Sequence, residues 1–390
     1  MYKEEMNVSG ADLYSGLQKI FPDEKDLTLT ERLEAARGPL LSWYRGNKRD
    51  LPWRENQDAY RIWISEIMLQ QTRVEAVKPY YDRFLQALPT VRDLAGAEES
   101  YLLKLWEGLG YYNRVRNMQK AAQILVERYG GEMPADAKEI LALPGIGSYT
   151  MGAIASIAFQ IPLPAVDGNV LRILTRLYGD DSDILDPRFK KKTEEALVRI
   201  MPKDRPGDVN QAMMELGATV CLPNGMPKCE SCPWQDRCVA RKEERLKEIP
   251  YKAPKKSRKK EKKTVFLLCD GDRILIHKRG KTGLLAGLYE FPNAEGWLTD
   301  EQVKQQVQEL GYEPLYLERM QDSVHIFTHK EWHMQGWLIR VAAAWPQERQ
   351  QEDYHLILPQ EIEAVYPIPS AFRAYTDGLN IVLGNAHFLR

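Results

Sequence analysis

The chain has 390 residues, 44% of them apolar and 28% charged, with a formal net charge of -1. That length suits two or three soluble globular domains, and no apolar run approaches membrane-spanning length. A near-neutral balance excludes a wholly basic nucleic-acid binder but leaves room for a local basic stripe. No apolar leader opens the sequence, so a cytosolic, reducing compartment is expected, where cysteines stay as thiols.

Residues 1–28 carry weak periodicity and read as an extension with no assigned role. From residue 29 to about 248 the apolar spacing is helical and is broken by Pro and Gly, clearest over 58–77, 100–109, 113–129, 150–159 and 169–178. The stretch 252–263, KAPKKSRKKEKK, holds eight Lys or Arg and one Glu. It reads as a solvated, extended linker over 249–263 that is also able to lie along phosphates. Beyond it the pattern changes. Segments 264–269 and 273–277 predict a hairpin around Asp270-Gly271-Asp272, 299–310 predicts a helix closed by Gly311, and 333–341 predicts a further strand. A second domain is therefore expected at 264–390.

Several residues along this path can carry chemistry. Glu66 sits in Trp63-Ile64-Ser65-Glu66-Ile67-Met68-Leu69. The pattern favours an exposed helix face, whereas a desolvated Glu66 would have a raised pKa and could act as a general acid. Gln71 belongs to a polar helix end, and Tyr111 to the helix break Gly108-Leu109-Gly110-Tyr111-Tyr112. Leu143-Pro144-Gly145-Ile146-Gly147, followed by Ser148-Tyr149-Thr150 and a helix rich in small residues, reads as a helix-hairpin-helix. Two glycines bring backbone N–H groups close to a phosphate, and the helix N-terminus adds its dipole. Beside such a hairpin, Gln71 and Tyr111 become candidates for wedging into a base stack. Asp167 opens a helix as an N-cap, a setting that keeps a carboxylate ionised and able to stabilise a cation.

Cys221, Cys229, Cys232 and Cys238 follow a helical stretch, leaving Cys269 as the fifth cysteine. Structural zinc sites pair two Cys-x-x-Cys hooks across a longer loop. Here one hook, Cys229-Glu230-Ser231-Cys232, is flanked by single cysteines, which suits an iron–sulfur ligand run better than zinc.

Together these motifs resemble the endonuclease III superfamily of DNA glycosylases, and within it the MutY-type adenine glycosylases, over roughly residues 29–380. The resemblance implies a multidomain protein. Its mainly α N-terminal part would be a helix-hairpin-helix glycosylase over 29–248, with a six-helix barrel at about 58–165 and an iron–sulfur domain. An α+β Nudix-like domain over 264–390 would recognise 8-oxoguanine. The implied activity is monofunctional excision of adenine mispaired with 8-oxoguanine or guanine in double-stranded DNA, by a cytoplasmic, nucleoid-associated bacterial monomer.

By the same resemblance Glu66 is the general acid, Asp167 the catalytic carboxylate and Asn169 its orienting partner. Tyr149 stands where bifunctional relatives carry a lysine nucleophile. Arg54 and Gln211 surround the extruded adenine. Gln71 and Tyr111 wedge into the duplex, while Gly145, Gly147 and Thr150 hold its backbone. Phe327, Thr328 and His329 face 8-oxoguanine, with Thr328 replacing the family's serine. The four cysteines bind a [4Fe–4S] cluster, although the first gap is one residue longer than usual. The segment 283–311 lacks the Arg-Glu-x-x-Glu-Glu block of Nudix hydrolases, so catalysis there is not expected. The rival readings are a bifunctional glycosylase and lyase, a non-catalytic mismatch binder and a nucleotide pyrophosphatase.

Overall fold

The computed structural model describes residues 24–254, 257–342 and 353–384. The expected extension lies outside them up to residue 23, and its last residues join the first helix. In chain order the helices are α1 (Glu24–Asn47), α2 (Ala59–Leu69), α3 (Val74–Ala87), α4 (Val91–Gly96), α5 (Glu99–Leu105) and α6 (Asn113–Tyr129). There follow α7 (Ala137–Leu141), α8 (Ser148–Ala158), α9 (Gly168–Tyr178), α10 (Pro187–Ile200), α11 (Pro206–Thr219) and the short α12 (Val239–Lys242). The helix expected over 58–77 is two helices. Asp58 caps the first by accepting from the Arg61 N–H at 2.8 Å, and the chain turns at Gln71, whose φ is +60°.

The rest is strand-rich: β1 (Lys259–Asp270), β2 (Arg273–Lys278), β3 (Tyr289–Glu290), β4 (Asn293–Glu295), α13 (Asp300–Glu309), β5 (Glu313–Arg319), β6 (Ser323–Ile326), β7 (Lys330–Ala342), β8 (Tyr354–Ile357), α14 (Pro359–Val365) and α15 (Arg373–Thr376). The main strand path is β3-β2-β1-β7-β5, with β1 and β7 parallel from Lys259↔Lys330 to Cys269↔Arg340. The period-2 geometry sends Val265 and Leu267 into one core with Trp332 and Phe372, and Phe266 and Leu268 into another with Val303 and Val307 of α13.

The basic run departs from expectation, because β1 already begins at Lys259. Its charges stay largely solvated while selected side chains find partners on β7 and on the segment after β4. Lys262 lies over Trp297 and Lys263 over Trp332, and Glu261 accepts from Lys330 and from the Trp332 indole. Long apolar stems packed on aromatics let a lysine-rich segment pair as a strand.

The chain forms two compact units that interleave in sequence: Met1–Gln70 with Glu132–Pro254, and Gln71–Gly131 with Lys255–Arg390. Residues 71–131, expected within the helical half, thus group with the C-terminal segment. In the first unit Leu33, Leu40 and Tyr44 of α1 meet apolar residues of α9, α10 and α11, and the Trp234 indole donates to the Ala36 carbonyl at 2.8 Å.

The loop leading to Asp167 lies hard against α8. A Cβ on Gly152 would stand 2.0 Å from the Pro164 carbonyl oxygen. Asn210 of α11 fastens the same loop, accepting from the Ala165 N–H and donating to the Leu163 carbonyl and the Ser156 hydroxyl. Gly152→Ala is therefore expected to lower stability by about 1–3 kcal/mol, the usual cost of overpacking. The readout is a lower denaturant midpoint at unchanged m-value; an unshifted midpoint would contradict this packing.

Candidate active site

α2 presents Glu66 inward, with 5% of its surface exposed. The exposed placement that the pattern favoured is thus corrected, because α2 is buried on nearly every side from Tyr60 to Met68. The Tyr149 hydroxyl, from the first turn of α8, donates to Glu66 Oε2 at 2.6 Å. Burial pushes the Glu66 carboxyl up to about 7, the Tyr149 bond opposes the rise, and the neighbouring Asp167 charge adds to it. Glu66 therefore holds a proton at neutral pH in a large fraction of molecules. Burial also raises the Tyr149 phenol well above its ordinary value, so it remains a donor.

Asp167 caps α9 as expected. Its Oδ1 accepts from the Asn169 and Val170 N–H groups at 2.9 and 2.8 Å, and its Oδ2 from the Asn169 amide at 2.6 Å. The expectation that capping alone fixes its charge is incomplete. Part of Asp167 stays open to solvent, but protein crowds it, and burial raises its pKa against those three donors. Arg172 continues the chain of bonds by donating to Asn169 Oδ1 at 2.8 Å and to the Cys221 carbonyl at 2.9 Å.

A second group lies at α11 and the turn Pro52–Arg54. Arg54 donates to Glu215 Oε2 at 2.7 Å, and Arg49 donates to Glu215 Oε1 at 2.6 Å. Burial would push the Glu215 carboxyl up, but the two arginines hold it below the usual range. Tyr44 lies beneath Arg54 and donates to Gln211 Oε1 at 3.2 Å. Arg54 and Gln211 are thus oriented by Glu215 and Tyr44, which sequence reasoning missed. A signal was present, since Asn210 and Glu215 interrupt an otherwise apolar helical stripe in α11.

The hairpin joins α7 to α8, with Gly145 at φ +79° and Gly147 as an N-cap without a side-chain bond. Backbone N–H groups of the first α8 turn are therefore left without a side-chain cap. The Thr150 side chain turns inward. Its side chain is 2% exposed and its hydroxyl faces the Gln70 amide, so it packs beneath the hairpin.

Cys221 ends the α11 turn, Cys229 and Cys232 flank a short 3₁₀ turn, and Cys238 caps α12. Burial raises the Cys229, Cys232 and Cys238 thiols, and charge on neighbouring cysteines adds to this, so the four share one electrostatic neighbourhood. Arg176 Nη1 lies 3.3 Å from Cys221 Sγ. Among the described residues no group of three or more His, Cys, Asp or Glu is placed to hold a metal ion. A donor set of four thiols beside a buried arginine fits an anionic polynuclear centre.

In the second unit Gln71 and Tyr111 are both exposed, and both are non-glycine residues at positive φ, +60° and +49°. Such strain persists only where surrounding structure enforces it. Phe327, Thr328 and His329 form the turn between β6 and β7. Phe327 packs edge-on against Trp332, while Thr328 and His329 are exposed. The Tyr111 hydroxyl lies 3.0 Å from Thr328 Oγ1.

Residues 64–203 match the HhH-GPD superfamily of base excision DNA repair proteins, and 264–377 match the NUDIX domain. The chain is 37% identical to the adenine DNA glycosylase of Homo sapiens, over 76% of this chain and 65% of that protein. It is 33% identical to the adenine DNA glycosylase of Buchnera aphidicola subsp. Acyrthosiphon pisum, over 84% of this chain and 94% of that protein. A solved thermostable thymine-DNA glycosylase overlays with a TM-score of 0.50 at 29% identity, covering 55% of this chain and 98% of that one.

Tyr149→Phe removes the bond that favours the ionised Glu66. The carboxyl should then titrate above the wild-type value of about 7. Infrared difference spectra of the protonated carboxyl band, with Glu66→Gln as the blank, check this; a lowered titration point would contradict the geometry.

Proposed function

The chain belongs to the adenine DNA glycosylase family, and from that premise we propose that it hydrolyses the N-glycosidic bond of adenine mispaired with 8-oxoguanine, or with guanine, in double-stranded DNA. The observation that carries the reading is the buried Glu66 carboxyl, protonated near neutral pH and bonded to Tyr149, within electrostatic reach of Asp167. Once the adenine is flipped out, the Arg54 and Gln211 side chains bind it. Glu66 donates its proton to the ring at N7, so the C1′–N9 bond breaks with its electron pair leaving on the base. Asp167, oriented by Asn169, stabilises the positive charge that develops on the sugar. Water then adds to C1′ and gives its proton to the Glu66 carboxylate.

Tyr149 supplies a phenol where a lyase needs an amine, which supports a monofunctional enzyme. Gly145 and Gly147 bring backbone N–H groups to a phosphate, and Gln71 and Tyr111 fill the gap left in the stack. The Phe327-Thr328-His329 turn reads the opposite base, with Phe327 as its anchor. Cys221, Cys229, Cys232 and Cys238 would hold a [4Fe–4S] cluster, which when bound crosslinks the segment after α11 and couples its folding to the metal. The working form is a monomer on DNA in the cytoplasm. Among the described residues no helix is long and apolar enough to cross a membrane.

Single-turnover cleavage of duplexes holding one A:8-oxoguanine, A:G or G:C pair tests the reading, with excision expected in that order and none at G:C. Glu66→Gln should slow excision by roughly 10²–10⁴-fold while mismatch binding stays near wild type. Excision within a few-fold of wild type would remove Glu66 from the role. Metal analysis of anaerobically purified protein should find iron; stoichiometric zinc would overturn the cluster.

A further inference from the structure

α5 ends in a buried ion pair that the chemistry above does not use. Lys104 donates to Glu107 Oε2 at 2.8 Å, with side chains 5% and 0% exposed. Both also reach backbone far along the chain. Lys104 donates to the Ile362 and Tyr366 carbonyls at 3.1 and 3.4 Å. Glu107 Oε1 accepts from the Ile368 N–H at 2.8 Å, and Oε2 from the Gly384 N–H at 2.9 Å. The Tyr80 hydroxyl donates to the Glu107 carbonyl at 2.8 Å, and a Cβ on Gly108 would stand 2.3 Å from that hydroxyl.

The loop that starts at this junction is Gly108-Leu109-Gly110-Tyr111, three of whose residues have positive φ. The Leu109 and Gly110 carbonyls are held by nearby residues. The Trp106 indole donates to the Gly110 carbonyl at 3.0 Å, and Arg114 donates to the Leu109 and Gly110 carbonyls. Burying an ion pair seldom stabilises a fold more than an apolar pair of the same volume would. What a carboxylate adds is direction, because each oxygen here fixes a particular N–H.

We propose that Glu107 is a positioning residue for the Tyr111 wedge, fastening its loop to the segment 362–384. The proposal rests on the wedge reading of Tyr111. The C-terminal region then has two separate tasks: the Phe327-Thr328-His329 turn faces the opposite base, and the Glu107 junction sets the angle at which Tyr111 enters the stack. Tyr111 is held from both, by Thr328 at its hydroxyl and by the junction at its backbone.

The test replaces Lys104→Met together with Glu107→Leu in the full chain, which removes the directed bonds and both charges of the pair at once; Glu363, whose charge also acts on Lys104, stays in place. The probe is a duplex carrying 2-aminopurine opposite 8-oxoguanine, whose fluorescence rises when the base unstacks. Thermal unfolding confirms that the variant is folded. Part of an unstacking energy of a few kcal/mol is at stake, so the unstacking rate should fall about tenfold while initial association with the duplex is kept. Tyr111→Ala is run beside it and should lose the fast rise altogether. A folded double variant with a wild-type rise, while Tyr111→Ala lacks one, would overturn the positioning role and leave the wedge intact. A wild-type rise in Tyr111→Ala would overturn the wedge reading and this proposal with it. Should the double variant not fold, Glu107→Gln keeps the volume but presents a donor where an acceptor is needed. It is judged by the same rates, a tenfold loss supporting the role and a wild-type rate overturning it.

Discussion

A carboxyl group that must keep its proton near neutral pH has to be kept out of water. Most of the first unit's construction follows from that constraint on Glu66. Its helix is buried on nearly every side, and its carboxylate accepts from a phenol that is itself kept from ionising. The cost falls on stability. A carboxyl whose folded pKa lies above its unfolded value adds stability that is present below the unfolded pKa and lost as pH rises through about 7. The fold is thus least supported at Glu66 under alkaline conditions.

Asp167 meets the opposite requirement with the opposite means. Burial works against its charge too, but two backbone N–H groups and the Asn169 amide favour the carboxylate. Burial raises both carboxyl groups, but Glu66 is opposed by one phenol and Asp167 by three donors. Gly152, Gly207 and Gly217 serve the same end from behind, since each lies so close to a neighbouring backbone or side chain that a Cβ would collide. Gly152 meets the loop itself at Pro164, Gly207 meets α8 at Ile157, and Gly217 meets Asn169 of α9, so the elements on both sides of Asp167 are closely packed.

Most helices and the change to a strand-rich half could be read from periodicity, because apolar spacing reports which face is buried. Glu66 is where periodicity misled. A helix buried all round has no polar face, so one acid among apolar neighbours looks like a surface position. Tyr44, Asn210 and Glu215 escaped for a related reason. They act by orienting other side chains, and nothing local in sequence says which distant group a buried amide will hold. The cysteine run and the Pro-Gly-x-Gly turn stood out because their spacing is itself the chemistry. The lysine-rich β1 start was misread because composition reports charge, while pairing with β7 depends on a strand that begins at Lys330, 71 positions after Lys259.

That parallel pairing, together with the junction at Glu107, has a consequence for how the chain is made. β1 and β7 pair through a long crossover, and Glu107 waits for an N–H 277 positions further on. Contacts this distant carry a large loop-closure cost and form late. On the ribosome, where N-terminal segments emerge first, α3 to α6 leave the exit tunnel long before Ile368 or Gly384. For that interval Lys104 and Glu107 lack their backbone partners at Ile362, Tyr366, Ile368 and Gly384. The newly made helices therefore expose a surface that must stay polar enough not to aggregate, and a buried salt bridge meets that need where an apolar pair of equal volume would not.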